Sequence, residues 1–454
     1  MDSDSAITFY GGAGTVTGSN FLLEHNGTRI LIDCGLTQGE QYCHKCNYDD
    51  FEYDPASIDV LIATHAHADH IGRIPKLVRD GFNGVIYSTP ATRDLSSIMF
   101  DDAVRILEDE ARKENREPLY TLLDARKAMS LWKGVEYHAK GDASGIPFTF
   151  LDAGHILGSA MVEFLLNGKK VVFTGDLGNS PAPLLKDTER VDGATYILME
   201  SVYGDRNHED RSARREKLKE AIVDTEGRGG TLLIPAFSIQ RTQVLLYEIN
   251  NMVEDGEVNE IPVFLDSPLA IKVTDIYRNY ESLYNETVKK EIAAGDDIFD
   301  FAKLSFTPRV EESKAILTTP GPKIIIAGSG MSTGGRVLHH EKVYLQDSKS
   351  MLLLVGYQAV GTLGRHIADG LKHVTIFNDT INVRAEVRLI RGYSAHKDGE
   401  HLVEFVEPSA ETLRKVFVAM GEPKASNFLA QRLHDFLGVD ALVPKKGDRV
   451  VLEL

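Results

Sequence analysis

The segment from Thr64 to His70 carries four side chains that commonly bind metals within six residues: His65, His67, Asp69 and His70. Neutral imidazoles and a carboxylate form a ligand set that suits zinc. So many ionisable groups in one turn would crowd one another severely unless a cation held them. A single histidine is usually a satisfied core or surface residue, whereas this spacing predicts a metal site.

The elements that would position these side chains are short apolar runs. Val60-Leu61-Ile62-Ala63 precedes the cluster and predicts a buried strand that ends where the histidines begin. Other apolar runs end in the same way, at Asp33, His155, Asp176 and Glu200. Because active sites on layered sheets lie where strands end, the repeated arrangement predicts that these residues share one site.

The glycine-rich turn after the first predicted strand, followed by Asp33, superficially resembles a dinucleotide-binding fingerprint. That fingerprint requires a helix after the turn. Here Asn20–Glu24 and Arg29–Asp33 flank Asn26-Gly27, which predicts a β-hairpin instead. The sequence therefore excludes the dinucleotide interpretation.

Strand and helix patterns alternate from about His208 to about Thr375, which predicts an inserted domain with a mostly parallel sheet. The sequence then returns to a β-rich pattern. It includes a predicted strand at Glu386–Arg391 and a last strand at Arg449–Leu454.

Length and charge narrow the possible partners. The 454 residues allow about two or three domains. A net charge of -17 excludes loose attraction to nucleic acid over the whole surface, so a polyanion would need a local basic cleft or metal ions. No apolar stretch is long enough to span a bilayer, and Met1–Ser5 does not resemble a signal peptide. We therefore expect a cytoplasmic protein without a membrane partner.

The chain has three cysteines, two of them in Cys43-His44-Lys45-Cys46. A structural zinc would need more soft ligands than one such pair supplies. The count therefore predicts free thiols in a reducing compartment.

In combination, these motifs resemble one family closely. His65-Ala-His67-Ala-Asp69-His70, with Asp33, His155 and Asp176, resembles the dinuclear zinc site of the metallo-β-lactamase fold. Glu200, the inserted segment and Gly392-Tyr-Ser-Ala-His396 resemble the β-CASP nucleases, which include the endonuclease of messenger-RNA 3′-end cleavage. The resemblance covers essentially the whole chain.

The resemblance implies an α/β protein. An αββα metallo-β-lactamase sandwich would comprise residues 1–206 and 384–454. A β-CASP domain with a parallel sheet would comprise residues 207–383, inserted between the two parts of the sandwich.

The resemblance also assigns roles to the site residues. His65, His67 and His155 would hold the first zinc, Asp69 and His70 the second, and Asp176 would bridge them. Asp33 would orient the cluster and its water. Glu200 and His396 would form a catalytic pair, with His396 contacting the scissile phosphate or protonating the leaving oxygen. Asp33, Asp69, Glu200 and His396 are thus the expected catalytic residues.

Five residues beside glycine-rich loops or strand ends are candidates for binding substrate phosphates: Arg206, Arg241, Ser329, Arg336 and Arg365. Each arginine is equally compatible with a solvated surface charge or an interdomain ion pair. Ser329 lies in a segment, Gly328 to Gly335, that is equally compatible with a tight turn.

Met420 departs from the family pattern. The family has a histidine here that completes the ligands of the second zinc, whereas this sequence reads Val418-Ala-Met420-Gly421. A thioether suits copper(I) far better than zinc. The second zinc is therefore expected to be weaker than the first, and Mn²⁺ is a candidate substitute.

Together, the residues and the resemblance predict a zinc-dependent ribonuclease that hydrolyses phosphodiester bonds of single-stranded RNA through a metal-activated hydroxide, in RNA processing or decay. Two alternatives stay open: a metal-compromised, non-catalytic RNA-binding subunit and a DNA-directed nuclease of the same family. A homo-oligomer is compatible with the sequence.

Overall fold

The computed structural model describes residues 5–38, 44–208 and 211–454. The described chain divides into two compact units. The first comprises residues up to Asn207 and from His396 onwards, and the second comprises His208–Ala395. None of the helices in the described ranges is long and apolar enough to cross a membrane.

The first part of the first unit is rich in short strands. Its strands are β1 (Ser5–Gly11), β2 (Asn20–His25), β3 (Thr28–Ile32), β4 (Val60–Ile62), β5 (Val85–Ser88), β6 (Trp132–Gly134), β7 (Lys140–Ala143), β8 (Ile146–Asp152), β9 (Ala160–Leu166), β10 (Lys169–Phe173) and β11 (Tyr196–Met199). Its α-helices are α1 (Ala68–Ile71), α2 (Ile74–Arg79), α3 (Pro90–Glu114) and α4 (Leu122–Ser130).

The second unit alternates helices and strands. Its helices are α5 (Arg211–Gly227), α6 (Arg241–Glu254), α7 (Pro268–Arg278), α8 (Glu286–Ala293), α9 (Val310–Ile316), α10 (Val337–Tyr344) and α11 (Leu363–Ala368). Its strands are β12 (Thr231–Pro235), β13 (Val263–Asp266), β14 (Leu304–Phe306), β15 (Lys323–Ala327), β16 (Met351–Val355), β17 (His373–Ile376), β18 (Asp379–Asn382) and β19 (Glu386–Ile390).

The chain then returns to the first unit. Its last elements are α12 (Gly399–Val406), β20 (Lys415–Val418), α13 (Pro423–Leu437), β21 (Ala441–Leu442) and β22 (Arg449–Leu452). Short 3₁₀ helices occur at His44–Asn47, Pro55–Ser57, Glu281–Leu283, Arg391–Tyr393 and Glu407–Ser409.

Two sheets form the centre of the first unit. The strand order is β22-β1-β2-β3-β4-β5-β6 in the first sheet and β21-β20-β11-β10-β9-β8-β7 in the second. The C-terminal strands complete both sheets, because β22 pairs with β1 and β20 pairs with β11. The two parts of this unit are distant in sequence but fold as one body.

Buried side chains from both sheets form one hydrophobic core, with Phe9 on the first sheet and Phe150 and Phe164 on the second. A second core joins the other face of the second sheet to α12 and α13, for example through Leu402 and Leu429. This is the layered αββα sandwich that the sequence predicts.

The predicted hairpin is confirmed. Strand β2 pairs with β3 in antiparallel register, and Asn26 and Gly27 between them have φ angles of 51° and 82°. Positive φ at both central residues is what a tight turn of this kind requires, and Asn-Gly meets that requirement best.

The second unit contains a parallel sheet of order β14-β13-β15-β12-β16-β19. Strand β19 (Glu386–Ile390) lies in this sheet because it pairs in parallel with β16 over its whole length. The second compact unit extends to Ala395, whereas the predicted domain boundary lies after residue 383. The predicted domain bounds stay a prediction.

The prediction of free thiols is corrected for Cys46, which is disulfide-bonded. Cys34 is a free, buried cysteine, and burial raises the pKa of its thiol to about 12. A thiol with so high a pKa stays protonated and unreactive near neutral pH. Cys43 lies outside the described residues.

Strand β9 offers a test of the core between the sheets. Phe164 is fully buried, whereas its neighbour Leu165 is 51% exposed, because successive side chains of a strand point to opposite faces. We expect Phe164→Ala to lower the free energy of unfolding of the first unit by about 3–5 kcal/mol, and Leu165→Ala by no more than about 0.5 kcal/mol. Chemical denaturation of the two variants measures this difference. Equal losses would contradict the assigned core.

Candidate active site

The site residues follow the carboxyl ends of strands in both sheets of the first unit. Asp33 follows β3 and His65 follows β4, which is the parallel neighbour of β3. Asp176 and Glu200 follow β10 and β11, another parallel pair. Parallel pairing brings the ends of neighbouring strands together, so residues far apart in sequence meet at one edge.

Asp33 connects several parts of the site. Its Oδ1 accepts a hydrogen bond from the Thr64 backbone N–H (2.8 Å). Its Oδ2 accepts from the hydroxyls of Thr64 (2.9 Å) and Ser19 (3.1 Å), and from His70 Nδ1 (2.6 Å). The residue adopts a left-handed backbone with φ of 60°. Asp33 therefore holds the histidine segment through these hydrogen bonds. Its predicted role in orienting metal ligands stays a prediction. Thr64 and Ser19 were not identified from the sequence, although Thr64 directly precedes His65.

His65, His67, His155 and Asp176 each offer one ligand atom, and these atoms lie within 4.8 Å of one another. His67 Nδ1 is 3.1 Å from His65 Nε2 and 3.3 Å from His155 Nε2. Asp176 Oδ2 is 3.5 Å and 3.6 Å from the same two Nε2 atoms. Burial lowers the pKa of both His65 and His155 well below the usual range. Both imidazoles are therefore neutral at pH 7, the form that binds a metal.

The two ring nitrogens of His70 have different surroundings. Nδ1 lies 2.6 Å from Asp33, whereas the buried Nε2 lacks a hydrogen-bond partner among the described residues and lies 3.3 Å from Asp176 Oδ1. Burial alone would lower the pKa of His70, but Asp176 and Asp33 raise it well above its usual range. Carboxylates that stabilise a proton here would equally stabilise a bound cation.

A second group of ligand atoms within 4.8 Å consists of Asp176, Glu200 and His396. His396 Nδ1 lies 3.1 Å from Glu200 Oε2 and 3.8 Å from Asp176 Oδ2. Burial lowers the pKa of His396, but Glu200 and Asp176 outweigh it and raise the pKa to about 9. Glu200 is fully buried and accepts a hydrogen bond from the Leu177 backbone N–H (2.6 Å). The predicted pair is therefore adjacent to Asp176.

Three nitrogens and a carboxylate oxygen that converge without an intervening group fit a divalent metal. The buried Nε2 of His70 is a further nitrogen that could bind a metal, and it lies beside Asp176. Neither group of converging atoms in the described chain includes Asp69. The structure thus brings together the predicted first ligand set, and only part of the second.

Met420 supplies no ligand for the second set. Its side chain is buried in the core between the sheets, and its backbone N–H donates to Gly12 O (2.6 Å). Its φ of 48° lies in the left-handed region, two residues after the end of β20. The position is therefore filled by apolar packing.

The five predicted phosphate-binding residues lie in both units. Arg206 of the first unit is exposed and pairs with Asp205 (2.8 Å). In the second unit, Arg241 donates to Val355 O (2.6 Å), Ser329 contacts Thr333 (3.1 Å) and Arg365 pairs with Asp369 (2.9 Å).

Arg336 has a clear structural role in the second unit. It pairs with the fully buried Asp266 (2.6 Å) and donates to Pro308 O (2.8 Å). Its guanidinium therefore already forms an ion pair and a hydrogen bond within this unit. Its predicted role toward substrate stays a prediction.

Comparison with known families agrees with this architecture. Residues 13–235 match the Metallo-beta-lactamase superfamily, residues 242–367 match the Beta-Casp domain, and residues 380–444 match the Zn-dependent metallo-hydrolase RNA specificity domain. The fold and the site thus define a metallo-hydrolase with a β-CASP insertion.

Several relatives resemble the chain over most of its length. Ribonuclease TTHA0252 of Thermus thermophilus is 35% identical over 401 residues, which cover 88% of this chain and 90% of the relative. The RNase J-like protein of Methanocaldococcus jannaschii is 32% identical over 451 residues, which cover 97% and 98%. Transcription termination factor FttA of Methanosarcina mazei is 32% identical, with coverage of 96% and 69%. The chain belongs to the β-CASP ribonuclease family of the metallo-β-lactamase superfamily.

A solved structure of a protein of unknown function from Enterococcus faecalis V583 matches 99% of this chain and 100% of its own, with a TM-score of 0.58 and 13% identity. At that identity, the likeness supports the fold alone.

The Asp33 contacts generate a test of the site. In Asp33→Ala, the hydroxyls of Ser19 and Thr64 and the Nδ1 of His70 lose their acceptor. We expect metal affinity to fall by about 10–100-fold, as for other residues that orient metal ligands. Competition with a chelating dye measures the affinity. Asp109→Ala, which removes an exposed carboxylate on α3, is the control. Unchanged affinity in Asp33→Ala would exclude the orienting role.

Proposed function

We propose that this chain is a zinc-dependent ribonuclease that hydrolyses phosphodiester bonds of single-stranded RNA, in RNA processing or decay. One observation carries the proposal: His65, His67 and His155 converge with Asp176, which also lies beside the Glu200–His396 pair. Metal-assisted hydrolysis requires metal ligands and nearby groups that can transfer protons. This site has a buried ligand set next to a histidine and a carboxylate.

The family implies a divalent metal, and the ligand chemistry favours zinc. His65, His67, His155 and Asp176 would hold the first ion, and His70 and Asp69 would contribute to a second, weaker one. When bound, such ions acidify water and stabilise the charged oxygens of a phosphodiester undergoing displacement. Mn²⁺ is a candidate substitute where the ligands are oxygen-rich.

His396 is suited to donate a proton to the leaving oxygen of the phosphodiester. Its Nδ1 faces Glu200, which orients the ring. Glu200 and Asp176 raise the pKa of His396 to about 9, which favours the protonated imidazole that a proton donor needs. Glu200 is held in turn by the Leu177 backbone, so the pair is positioned before substrate binds.

RNA as substrate has independent support. The RNA specificity domain matches residues 380–444, and two relatives similar over most of this chain are named as ribonucleases or as RNase J-like.

A non-catalytic RNA-binding subunit is disfavoured because the first ligand set is complete. A DNA-directed nuclease of the same family is the second candidate. Cytoplasmic location and oligomeric state stay predictions.

His67→Ala is the direct test of this function. His67 Nδ1 is the atom that lies within 3.3 Å of both other histidines, so its loss should abolish hydrolysis. The fold should persist because His67 lies in a partly exposed loop. Cleavage of end-labelled RNA and DNA, with a zinc titration and circular dichroism, measures both effects. His366→Ala, an exposed histidine on α11, is the control. Turnover by His67→Ala would refute the metal mechanism, and cleavage of DNA alone by the unmodified chain would favour the second candidate.

Met420 yields a prediction on metal content. The unmodified chain should bind markedly less than two zinc ions, because the position contributes a thioether within an apolar core. Met420→His should raise zinc content and turnover together, and its thermal stability should depend on zinc because an unpaired buried imidazole is costly. Met420→Leu keeps the packing without a ligand and serves as the control. Elemental analysis decides the outcome, and two tightly held ions in the unmodified chain would contradict this account.

A further inference from the structure

Helix α13 exposes an alternation of cations and aromatic rings. Lys424, Phe428, Arg432 and Phe436 are spaced four residues apart, so they lie along one face of the helix. The side chain of Lys424 is 87% exposed, and Phe428 and Phe436 are 50% and 70% exposed. We refer to these four residues as the aromatic–basic stripe.

The stripe is not required by the packing of the helix. An adjacent face of α13 already packs Leu429 and Leu433 into the core beside the second sheet. The guanidinium of Arg432 lies 5.4 Å from the centre of the Phe436 ring, within the range of a cation–π contact. The stripe thus presents flat π surfaces and positive charge together, on a chain whose net charge is -17.

A chain of contacts within the first unit links the stripe to the candidate active site. The Tyr203 ring lies 6.2 Å from the His396 ring, and the guanidinium of Arg206 lies 5.8 Å from the Tyr203 ring. Asp205 then pairs with both Arg206 (2.8 Å) and Lys424 (3.6 Å). The stripe begins at Lys424, so this chain of contacts connects His396 to the first residue of the stripe.

We propose that single-stranded RNA binds along this line, from Tyr203 and Arg206 onto the aromatic–basic stripe. Single strands are bound without sequence preference where aromatic rings stack on bases and cations lie near the backbone. The two rings are eight residues apart, which corresponds to about 12 Å along the helix, so they would stack on bases that are not adjacent in the strand. Phe428 and Phe436 stack on bases, and Lys424 and Arg432 contact phosphates. The stripe lies within the residues that match the RNA specificity domain.

The alternation of residues favours RNA over a protein partner. A protein interface of this size would gain most from contiguous apolar surface with charged residues at its rim. Here a cation lies between the two rings and another precedes them, which suits a polyanion with regularly spaced bases. This inference rests on the proposed function, because it assigns the path of the same substrate.

The test measures binding separately from cleavage. Fluorescently labelled single-stranded RNA is titrated into proteins that all carry His67→Ala, so that the RNA stays intact. We expect Phe428→Ala together with Phe436→Ala to weaken binding by about 30-fold, since each lost stacking contact costs about fivefold or more. The loss should shrink as the RNA is shortened. Arg432→Gln should lower the slope of log affinity against log salt by about one.

Two controls isolate stacking from folding and from general hydrophobicity. Phe377→Ala removes a ring that is 48% exposed on the second unit and should leave affinity unchanged. Phe428→Leu together with Phe436→Leu keeps apolar volume on α13 but removes the rings, and should weaken binding nearly as much as alanine does. Circular dichroism verifies that the helix is retained.

The outcomes separate this inference from the proposed function. Unmodified protein that fails to cleave RNA would overturn the proposed function but would leave the binding comparison valid. Undiminished RNA affinity in the Phe428 and Phe436 double variants would overturn the stripe assignment, whether or not the enzyme cleaves RNA. If those variants instead dissociate an oligomer at unchanged RNA affinity, the stripe is an interface between copies of the chain and the inference is wrong.

Discussion

A buried carboxylate, that of Asp33, is the contact on which the geometry of the site depends. It accepts hydrogen bonds from a backbone amide, two hydroxyls and an imidazole, which come from two separate segments of the chain, at Ser19 and at Thr64–His70. A buried charge of this kind is tolerable only when its acceptor positions are filled. The requirement therefore holds Ser19, Thr64 and His70 in one arrangement before any ligand binds.

The other site residues follow the same physical logic. Burial keeps His65 and His155 neutral, whereas nearby carboxylates keep His396 protonated. Histidines a few ångströms apart are thus assigned different chemistry by their surroundings: two are suited to bind a metal and one is suited to donate a proton. Asp176 contacts both groups, so binding of metal and positioning of the acid are linked through one carboxylate.

The balance of charge also explains how an acidic protein can act on a polyanion. The net charge of -17 cannot attract RNA as a whole. Local cations do so only where they stay exposed, and Arg336 is instead largely buried against Asp266. Lys424 pairs with Asp205 but keeps 87% of its side chain exposed, so it remains accessible to a nucleic acid.

The sequence alone determined the hairpin at Asn26-Gly27 and the identity of the residues that end the strands, because these features depend on local periodicity and on residue chemistry. The fold class followed from the resemblance of the combined motifs to one family. Most site residues could be named from the sequence because metal-ligand types at strand ends are rare in combination. Tertiary structure alone decided the sheet to which Glu386–Ile390 belongs, the hydrogen-bond partners of Asp33 and the ion pair between Arg336 and Asp266. It also decided that Met420 packs in the core and that Phe428 and Phe436 stay exposed. These features depend on which distant segments meet, and a linear pattern of apolar and polar residues does not carry that information.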